Sequence, residues 1–335
     1  MIQSRARKGS ILLKNLFRMQ LLLLLAVKAF AGGGSEKPTD SRQITIGVLK
    51  GPSGFGIIRL IEETKELPRN TAVHYLILPS PEEMVARLGS GELQAGLLPL
   101  NMAAKLYTRG GGFPMAALTG RGALYILSRE PTLKDWMDLP GHTVYAIGKG
   151  ATPDYLFRYY LANKGIDPAA LTVDFSIPAV QLAQMATAGK VDTILISQPF
   201  AALIQLKAPD MQPRLDFQQA WMDVQAADKP YPITAFVVSP ALAHERPEAY
   251  AQLLKAYRDS IAWVLAKPAQ AAVLIEKHGI LAAPAAQAAI PYCGLDFIPA
   301  PAAKTETEAY LKVLLEFDPV SIGGTLPDEN FYLAP

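Results

Sequence analysis

The sequence contains very little cysteine and histidine, with one cysteine and four histidines in 335 residues. Because Cys293 has no partner for an internal disulfide, we expect the chain to depend on its hydrophobic core for stability. The histidines lack the short spacing of a metal site, and no nucleophile motif lies beside them; they are His74, His142, His244 and His278. We therefore expect neither a metal nor another cofactor.

The chain also lacks a large excess of either charge, because 32 basic residues stand against 30 acidic ones. Six of the basic residues fall within 1–31, a stretch without Asp or Glu. Without that stretch, 26 basic and 30 acidic residues remain, which gives a formal charge of −4. A mildly acidic body without Lys/Arg clusters has no electrostatic footprint for nucleic acid, so we expect no such partner.

Long apolar runs are missing as well. The run at 21–27 is far shorter than the roughly 20 residues that a membrane anchor would need. It follows basic residues and precedes Ala29-Phe30-Ala31, which is the order of a secretory signal peptide. We expect cleavage after Ala31, a flexible leader at 32–42 and a periplasmic protein. No lipid anchor is expected, because Gly32 stands where a lipoprotein has its cysteine.

Apolar segments of strand length alternate with amphipathic segments of helix length, which is the pattern of an α/β protein. The predicted strands include 44–49, 73–78, 95–98, 125–128, 143–147, 172–175, 193–196 and 235–238. A polar residue followed by proline marks a helix start, and such pairs occur at 80–81, 152–153, 198–199 and 239–240. Several helices should therefore begin where strands end.

Two pairs of segments repeat at nearly the same offset along the chain. Residues 50–59 align with 149–158 at an offset of 99, and residues 91–104 align with 189–202 at an offset of 98. One such match can arise by chance, but two in the same register indicate a duplicated structural unit.

The duplication predicts two lobes. Lobe one comprises 43–122 plus 235–335, and lobe two comprises 123–234. The similar segments 123–128 and 235–239 are predicted to be the strands that link the lobes.

Two facing α/β lobes enclose a cleft, because ligands of open sheets bind beyond the carboxyl ends of the strands. Helix N-termini there favour anionic or strongly polar small molecules. The equivalent loops 50–55 and 149–154 are predicted to form the two walls. The candidate ligand contacts lie in these loops or at other strand and helix ends: Ser53, Gly54, Phe55, Ser80, Asn101, Arg121, Gly150, Thr152 and Gln198.

Structural roles also explain several of these residues. Ser53 and Thr152 can cap helices as well as donate to a ligand. Phe55 can pack within its own lobe instead of stacking on a ligand ring. Arg121 is expected to be a solvated residue near the connection between the lobes, with neutralisation of an anion as the alternative.

Motifs along nearly all of the chain after the leader carry a family resemblance. They are GPSGFG at 51–56, LPLNMAA at 98–104, DLPGHTV at 138–144, GKGATP at 148–153, QPF at 198–200 and IGGTLPD at 322–328. With the export signal, they resemble the substrate-binding proteins of ABC importers, in the nitrate/sulfonate/taurine-type group. The resemblance implies a type II periplasmic binding fold, in which two α/β lobes are joined by two hinge strands around a ligand cleft.

The resemblance further implies capture of a small-molecule ligand and its delivery to a permease and an ATPase subunit at the inner membrane. We expect a monomer without enzymatic activity. Members of the group bind nitrate, sulfonates, pyrimidines, riboflavin and other molecules, so the ligand stays open. The candidates to face an anion in the cleft are only Lys50, Arg121 and Lys149. The alternative is that these side chains are solvated. We expect a small polar, anionic or heteroaromatic organic molecule.

Two alternative functions stay open at this stage. Related folds include pyrimidine synthases and menaquinone-pathway enzymes, but such a synthase should carry a cysteine-rich motif, and Cys293 is alone. Export also argues against a biosynthetic enzyme. A ligand-binding sensor component would use the same cleft with a different membrane partner.

Overall fold

A computed structural model describes residues 43–334 of the chain. The predicted signal peptide, 1–31, and the predicted leader, 32–42, lie outside the described residues. None of the helices in the described range has the length and apolar character needed to cross a membrane.

Twelve β-strands occur in the described range, and they include every strand that the sequence predicted. In chain order they are β1 Gln43–Leu49, β2 Glu66–Leu67, β3 Thr71–Leu78, β4 Ala95–Pro99, β5 Met115–Arg121, β6 Leu124–Ser128, β7 Thr143–Ala146, β8 Thr172–Asp174, β9 Thr193–Ser197, β10 Gln212–Asp216, β11 Pro232–Val238 and β12 Leu295–Pro299. Seven strands form a larger sheet in the order β12-β5-β11-β4-β1-β3-β2. The other five form a smaller sheet in the order β10-β6-β9-β7-β8.

Thirteen α-helices accompany these strands. In chain order they are α1 Pro52–Gly56, α2 Ile58–Glu63, α3 Pro81–Gly89, α4 Leu100–Leu106, α5 Thr152–Asn163, α6 Ala179–Thr187, α7 Phe200–Lys207, α8 Phe217–Gln225, α9 Pro240–Glu245, α10 Pro247–Ala266, α11 Pro268–Lys277, α12 Ala283–Ala289 and α13 Ala300–Phe317. Helix α4 continues into a π-helical turn, Tyr107–Gly111, and a 3-10 turn, Pro319–Ile322, follows α13. This mixture of strands and helices confirms the predicted α/β class.

The proline pairs predicted helix starts correctly, since α3, α5, α7 and α9 each begin within one residue of the predicted proline. Ser80 caps α3, because its hydroxyl accepts a hydrogen bond of 3.2 Å from the backbone N–H of Glu83. Ser239 caps α9 in the same way. Thr152 does not cap α5, whose N-cap is Ala151. The Thr152 hydroxyl is therefore free for another partner.

The two sheets contain the same unit with the same strand register. The pairing of Ile46 with Ala95, between β1 and β4, recurs 99 residues later between β7 and β9. The pairing of Ile44 with Val73, between β1 and β3, recurs at the same offset between β7 and β8. One antiparallel strand flanks each unit, β11 beside β4 and β6 beside β9. The repeat in the sequence thus corresponds to a repeat in the fold.

The strands predicted to link the lobes lie within the sheets instead. β6 belongs to the smaller sheet and β11 to the larger one, at equivalent positions of the repeated unit. The chain passes from the larger sheet to the smaller one at 122–123 and returns at 226–231. Segments 124–128 and 236–239 therefore flank the two units at equivalent places, and two short connections make the crossings.

Aromatic packing holds α5 against α8 beside the smaller sheet. The rings of Trp136, Phe157, Tyr160 and Phe217 lie with neighbouring centroids 5.1 to 6.2 Å apart. All four side chains are buried, and tilted or edge-on contacts of this kind add to the free energy of burial. This cluster fixes the position of α5, whose first turn faces the space between the sheets.

Arg121 ends β5 and is 5% exposed, so the expectation of a solvated arginine is wrong. Its Nε donates to Asp296 Oδ2 at 2.8 Å, and its Nη1 and Nη2 donate to the two carboxylate oxygens of Glu306 at 2.5 and 3.0 Å. Nη1 also donates to the backbone oxygen of Pro230 at 3.0 Å. These bonds join β5 to β12, to α13 and to the returning crossing.

We expect Arg121→Met to lower the free energy of unfolding by about 2–3 kcal/mol, because it leaves two carboxylates and a carbonyl without their donor. The expected loss is moderated by the partial exposure of Asp296 and Glu306. The matched control is Arg69→Met, which removes a bidentate pair with Glu248 on the exposed surface and should leave the free energy of unfolding nearly unchanged. Urea unfolding measures both variants, and equal losses would contradict a structural role for Arg121.

Candidate functional site

A cavity of about 400 Å³ lies between the two sheets, at the ends of their strands. Leu49, Pro99 and Ser197 line it from the carboxyl ends of β1, β4 and β9. Ala123 and Tyr231 line it from the two chain crossings. The first residues of α1, α3, α4 and α5 complete the wall. This is the place where open α/β sheets bind ligands, so the cavity is the candidate site.

Apolar side chains form most of the lining, including Pro52, Pro81, Leu98, Met102 and Ile233. Hydroxyl and amide groups are interspersed among them: Ser53, Asn101, Thr152, Ser197, Gln198 and Thr234. Among the described lining residues, Glu82 is the single charged side chain. An anion in this cavity would meet a carboxylate and no lysine or arginine of the described lining, whereas a neutral ligand with polar substituents would find partners.

Four of the nine predicted contacts line the cavity. Ser53 and Thr152 come from the starts of α1 and α5, while Asn101 and Gln198 follow β4 and β9. Ser53 and Thr152 occupy equivalent positions in the two units, whereas Gln198 lies one residue before Pro199, the counterpart of Asn101. Within the described part of the chain, the side chains of Ser53 and Asn101 form no hydrogen bond, so their polar groups are available to a ligand.

Internal hydrogen bonds orient the other two contacts. The hydroxyls of Thr152 and Tyr310 lie 2.9 Å apart, and burial raises the pKa of Tyr310, which keeps it protonated. Gln198 Oε1 accepts from the backbone N–H of Ala202 at 3.1 Å, which leaves the amide nitrogen free to donate. Both side chains are therefore held in place before a ligand arrives.

The other five predicted contacts do not line this cavity. Phe55 is fully buried and packs in the core of the larger sheet. Gly54 is buried too, and a Cβ there would lie 2.4 Å from the carbonyl oxygen that ends β1. Ser80 caps α3, and Arg121 is held in its ion pairs. Gly150 lines a neighbouring cavity.

Sequence reasoning missed the most distinctive lining residue, Glu82. It stands in the first turn of α3, where a carboxylate is expected to complement the helix dipole, so nothing in its local pattern suggested a ligand. Ser197, Thr234 and Tyr231 were missed as well. A signal was present for Ser197, because it directly precedes Gln198 at the end of a duplicated strand.

The crossings that line the cavity are held by one buried amide. Gln218 Oε1 accepts from the backbone N–H of Leu124 at 2.9 Å and from the hydroxyl of Tyr231 at 3.1 Å. Its Nε2 donates back to the carbonyl oxygen of Leu124 at 3.0 Å. The outgoing and returning segments of chain are thereby fixed to the same side chain.

The sequence around this site matches one known family. The model of the NMT1-like family covers residues 82–277, which is more than half of the chain. The protein belongs to the NMT1-like family. No curated protein matches the sequence.

Solved structures similar to this NMT1-like protein include binding proteins. A crystal structure of an ABC transporter from Parabacteroides distasonis has 26% identity and a TM-score of 0.76, covering 88% of this chain and 99% of that one. The periplasmic aliphatic sulphonate binding protein SsuA of Escherichia coli has 15% identity and a TM-score of 0.65, covering 86% and 92%. The periplasmic nitrate-binding protein NrtA of Synechocystis PCC 6803 has 14% identity and a TM-score of 0.59, covering 88% and 84%.

The family match and these likenesses confirm the resemblance to nitrate/sulfonate/taurine-type binding proteins and the predicted type II periplasmic binding fold. The family match and the 26% identity with the ABC transporter structure support a solute-binding role for the NMT1-like protein. The similar structures are mostly binding proteins of ABC importers, although the family can include enzymes.

Proposed function

We propose that the protein is the extracytoplasmic solute-binding protein of an ABC importer. In this proposal, 43–122 with 235–335 forms one lobe, 123–234 forms the other, and the lobes close on a ligand around their two crossings. The cavity carries the proposal, because equivalent strand ends and helix starts of two duplicated units build its wall. The NMT1-like family and the likeness to ABC-type binding proteins support it.

The lining favours an uncharged heteroaromatic group in this cavity over nitrate or a simple sulfonate. Arg121 is committed to its ion pairs, and Lys50 and Lys149 do not line the cavity. The cavity is mainly apolar, and its volume suits a small organic molecule. The carboxylate of Glu82 accepts hydrogen bonds, so a ring that carries an N–H donor fits it best.

Delivery to a permease and an ATPase subunit at the inner membrane is the role of such a protein in import. A sensor with the same cleft is the alternative, and cellular uptake separates the two. If the protein serves import, deletion of its gene should abolish uptake of the compound that the purified protein binds. Unchanged uptake together with altered gene expression would favour the sensor.

An enzyme that uses a cysteine nucleophile is disfavoured by the environment of Cys293. The side chain is 2% exposed, and burial raises the pKa of its thiol to about 12. Less than about one thiol in a thousand would then be the reactive thiolate at neutral pH. The cysteine is a packing residue of the larger sheet's core.

We expect uncharged heteroaromatic compounds with an N–H donor to raise the thermal midpoint of the purified protein, and nitrate or short alkanesulfonates to leave it unchanged. A ligand at one hundred times its Kd stabilises the folded state by about 2.7 kcal/mol, which a thermal-shift screen detects. Pyrimidines, flavins and indoles are suitable test compounds.

Glu82→Gln should weaken binding of the best compound about tenfold, because the acceptor of the hydrogen bond changes from a charged carboxylate to a neutral amide oxygen. The matched control is Glu83→Gln, since Glu83 is the next residue but pairs with Arg87 outside the cavity.

Ser53→Ala/Thr152→Ala should weaken binding too. Binding of nitrate or sulfonates alone, or normal binding by Glu82→Gln, would show that the ligand assignment is wrong. Turnover of the bound compound would support the enzyme alternative.

We also propose export with cleavage after Ala31. In a Gram-negative host, the intact chain should reach the periplasmic fraction with Gly32 as its first residue, as read by N-terminal sequencing. Leu23→Arg/Leu24→Arg should retain an uncleaved protein in the cytoplasm, because it interrupts the apolar run that export requires. Acylated protein in the membrane fraction would refute the proposed route.

A further inference from the structure

We infer that the binding site has an outer chamber that holds an anionic group of the ligand, with Lys105 and Arg109 as its specificity-determining residues. This inference rests on the proposed solute-binding function and names the ligand class more closely. The ligand would combine an uncharged body, held in the cavity described above, with an acidic end held outside it.

The outer chamber is a second cavity of about 630 Å³ that adjoins the first. Four residues line both cavities, namely Glu82, Asn101, Met102 and Ala151. The two spaces therefore meet at the starts of α3, α4 and α5. A ligand too long for the inner cavity extends past these residues into the outer chamber.

A row of polar side chains leads from the junction into the outer chamber. Asn101, Lys105 and Arg109 follow one another at intervals of four residues and all line this chamber. Residues four apart lie on one face of a helix, and the π-helical turn Tyr107–Gly111 extends α4 as far as Arg109. Neither cation forms an ion pair with a described residue, so both charges are available to an anion.

The 3-10 turn that packs beside α4 supplies a hydroxyl that lacks a partner. Ser321, in the 3-10 turn Pro319–Ile322, is 9% exposed, and its Oγ has no hydrogen-bond partner among the described residues. A buried hydroxyl without a partner is unfavourable, and an acceptor oxygen on the ligand would satisfy it. Ser321 lines the outer chamber, but its Oγ has less than 1 Å² of accessible surface, so its side chain must rotate before the hydroxyl can donate to the same anionic group.

The position of this turn is fixed against α4. Thr108 Oγ1 donates to the carbonyl oxygen of Ile322 at 3.0 Å. Gly323 follows with a φ of +92°, and any side chain there would collide with the Thr108 hydroxyl. The glycine therefore lets the turn approach α4 closely enough for Ser321 and Lys105 to share one chamber.

Two acidic residues also line the outer chamber, and each is assigned a hydrogen-bond donor other than Lys105 or Arg109. Asp318 accepts hydrogen bonds from the hydroxyl of Tyr155 at 2.5 Å and from the backbone N–H of Val320 at 3.1 Å. Glu82 lies at the junction, where it faces the donor of the ligand's uncharged body. Lys105 and Arg109 are then the charged groups that the outer chamber leaves without a partner.

Indole-3-acetate, indole-3-propanoate and indole-3-butanoate are suitable probes, each compared with its primary amide. The indole supplies an N–H donor on an apolar body, and the chain length varies the reach of the acid. For the length that spans both chambers, isothermal titration should show the acid binding about tenfold more tightly than the amide. Added salt should reduce this ratio, because Arg109 is exposed.

Lys105→Gln/Arg109→Gln should bring the ratio of acid to amide affinity close to one, and Ser321→Ala should lower it about threefold. The matched control is Lys50→Gln/Lys149→Gln, which removes the same charge from exposed loops outside both chambers and should keep the ratio. A ratio near one in the unaltered protein, or a ratio that survives in Lys105→Gln/Arg109→Gln, would overturn the inference.

The two proposals fail in different ways. If the amides bound as tightly as the acids, the inner cavity would still be the ligand site, but the proposed role of the outer chamber would be wrong. If neither acids nor amides of any length bound, the proposed uncharged body would itself be wrong, and the outer chamber would fall with it.

Discussion

The joining of the two chain crossings is the constraint on which the cleft depends. The backbone N–H of Gly122 donates to the carbonyl oxygen of Tyr231 at 2.8 Å, so the outgoing and returning segments are bonded to each other. A Cβ at Gly122 would lie 2.2 Å from the Tyr231 ring, which explains why glycine is required there. Gln218 binds both segments from the smaller-sheet side. Because both crossings line the cavity, these bonds set where the two sheets meet and therefore where a ligand lies.

The repeated unit explains the shape of the cleft, and its departures from symmetry explain the chemistry. Equivalent positions supply Ser53 and Thr152, and positions one residue out of register supply Asn101 and Gln198. Beyond these pairs the two walls differ, since Glu82 lies on the larger-sheet side and its counterpart 98 residues later is Val180, which is exposed. Duplication accounts for a cleft lined by strand ends and helix starts, whereas Glu82, which has no acidic counterpart in the other unit, makes the two walls chemically different.

The secondary structure could be predicted because it depends on local patterns, whereas the site depends on which residues meet across the fold. Strands that are buried on both faces appear in the sequence as apolar runs. The repeat in the sequence then predicted which strands belong to the same unit. β5 escaped prediction, because its Ala- and Gly-containing sequence has weak strand character. The burial of Arg121 depends on Asp296 and Glu306, which lie 175 and 185 residues away in sequence. No local sequence pattern predicts a contact between residues so far apart.

The outer chamber is built from both units, and this links ligand recognition to closure. Its wall includes α4 and the 319–322 turn on one side, and Gly150, Ala151 and Tyr155 on the other. The bond between Tyr155 and Asp318 spans the same gap. Lys105 and Ser321 both lie on the first side, so an anion bound between them favours the closed arrangement over the open one only through the contacts that it also makes with the wall of Gly150, Ala151 and Tyr155. A ligand without the acidic end would fill the inner cavity and lack that part of the closing energy.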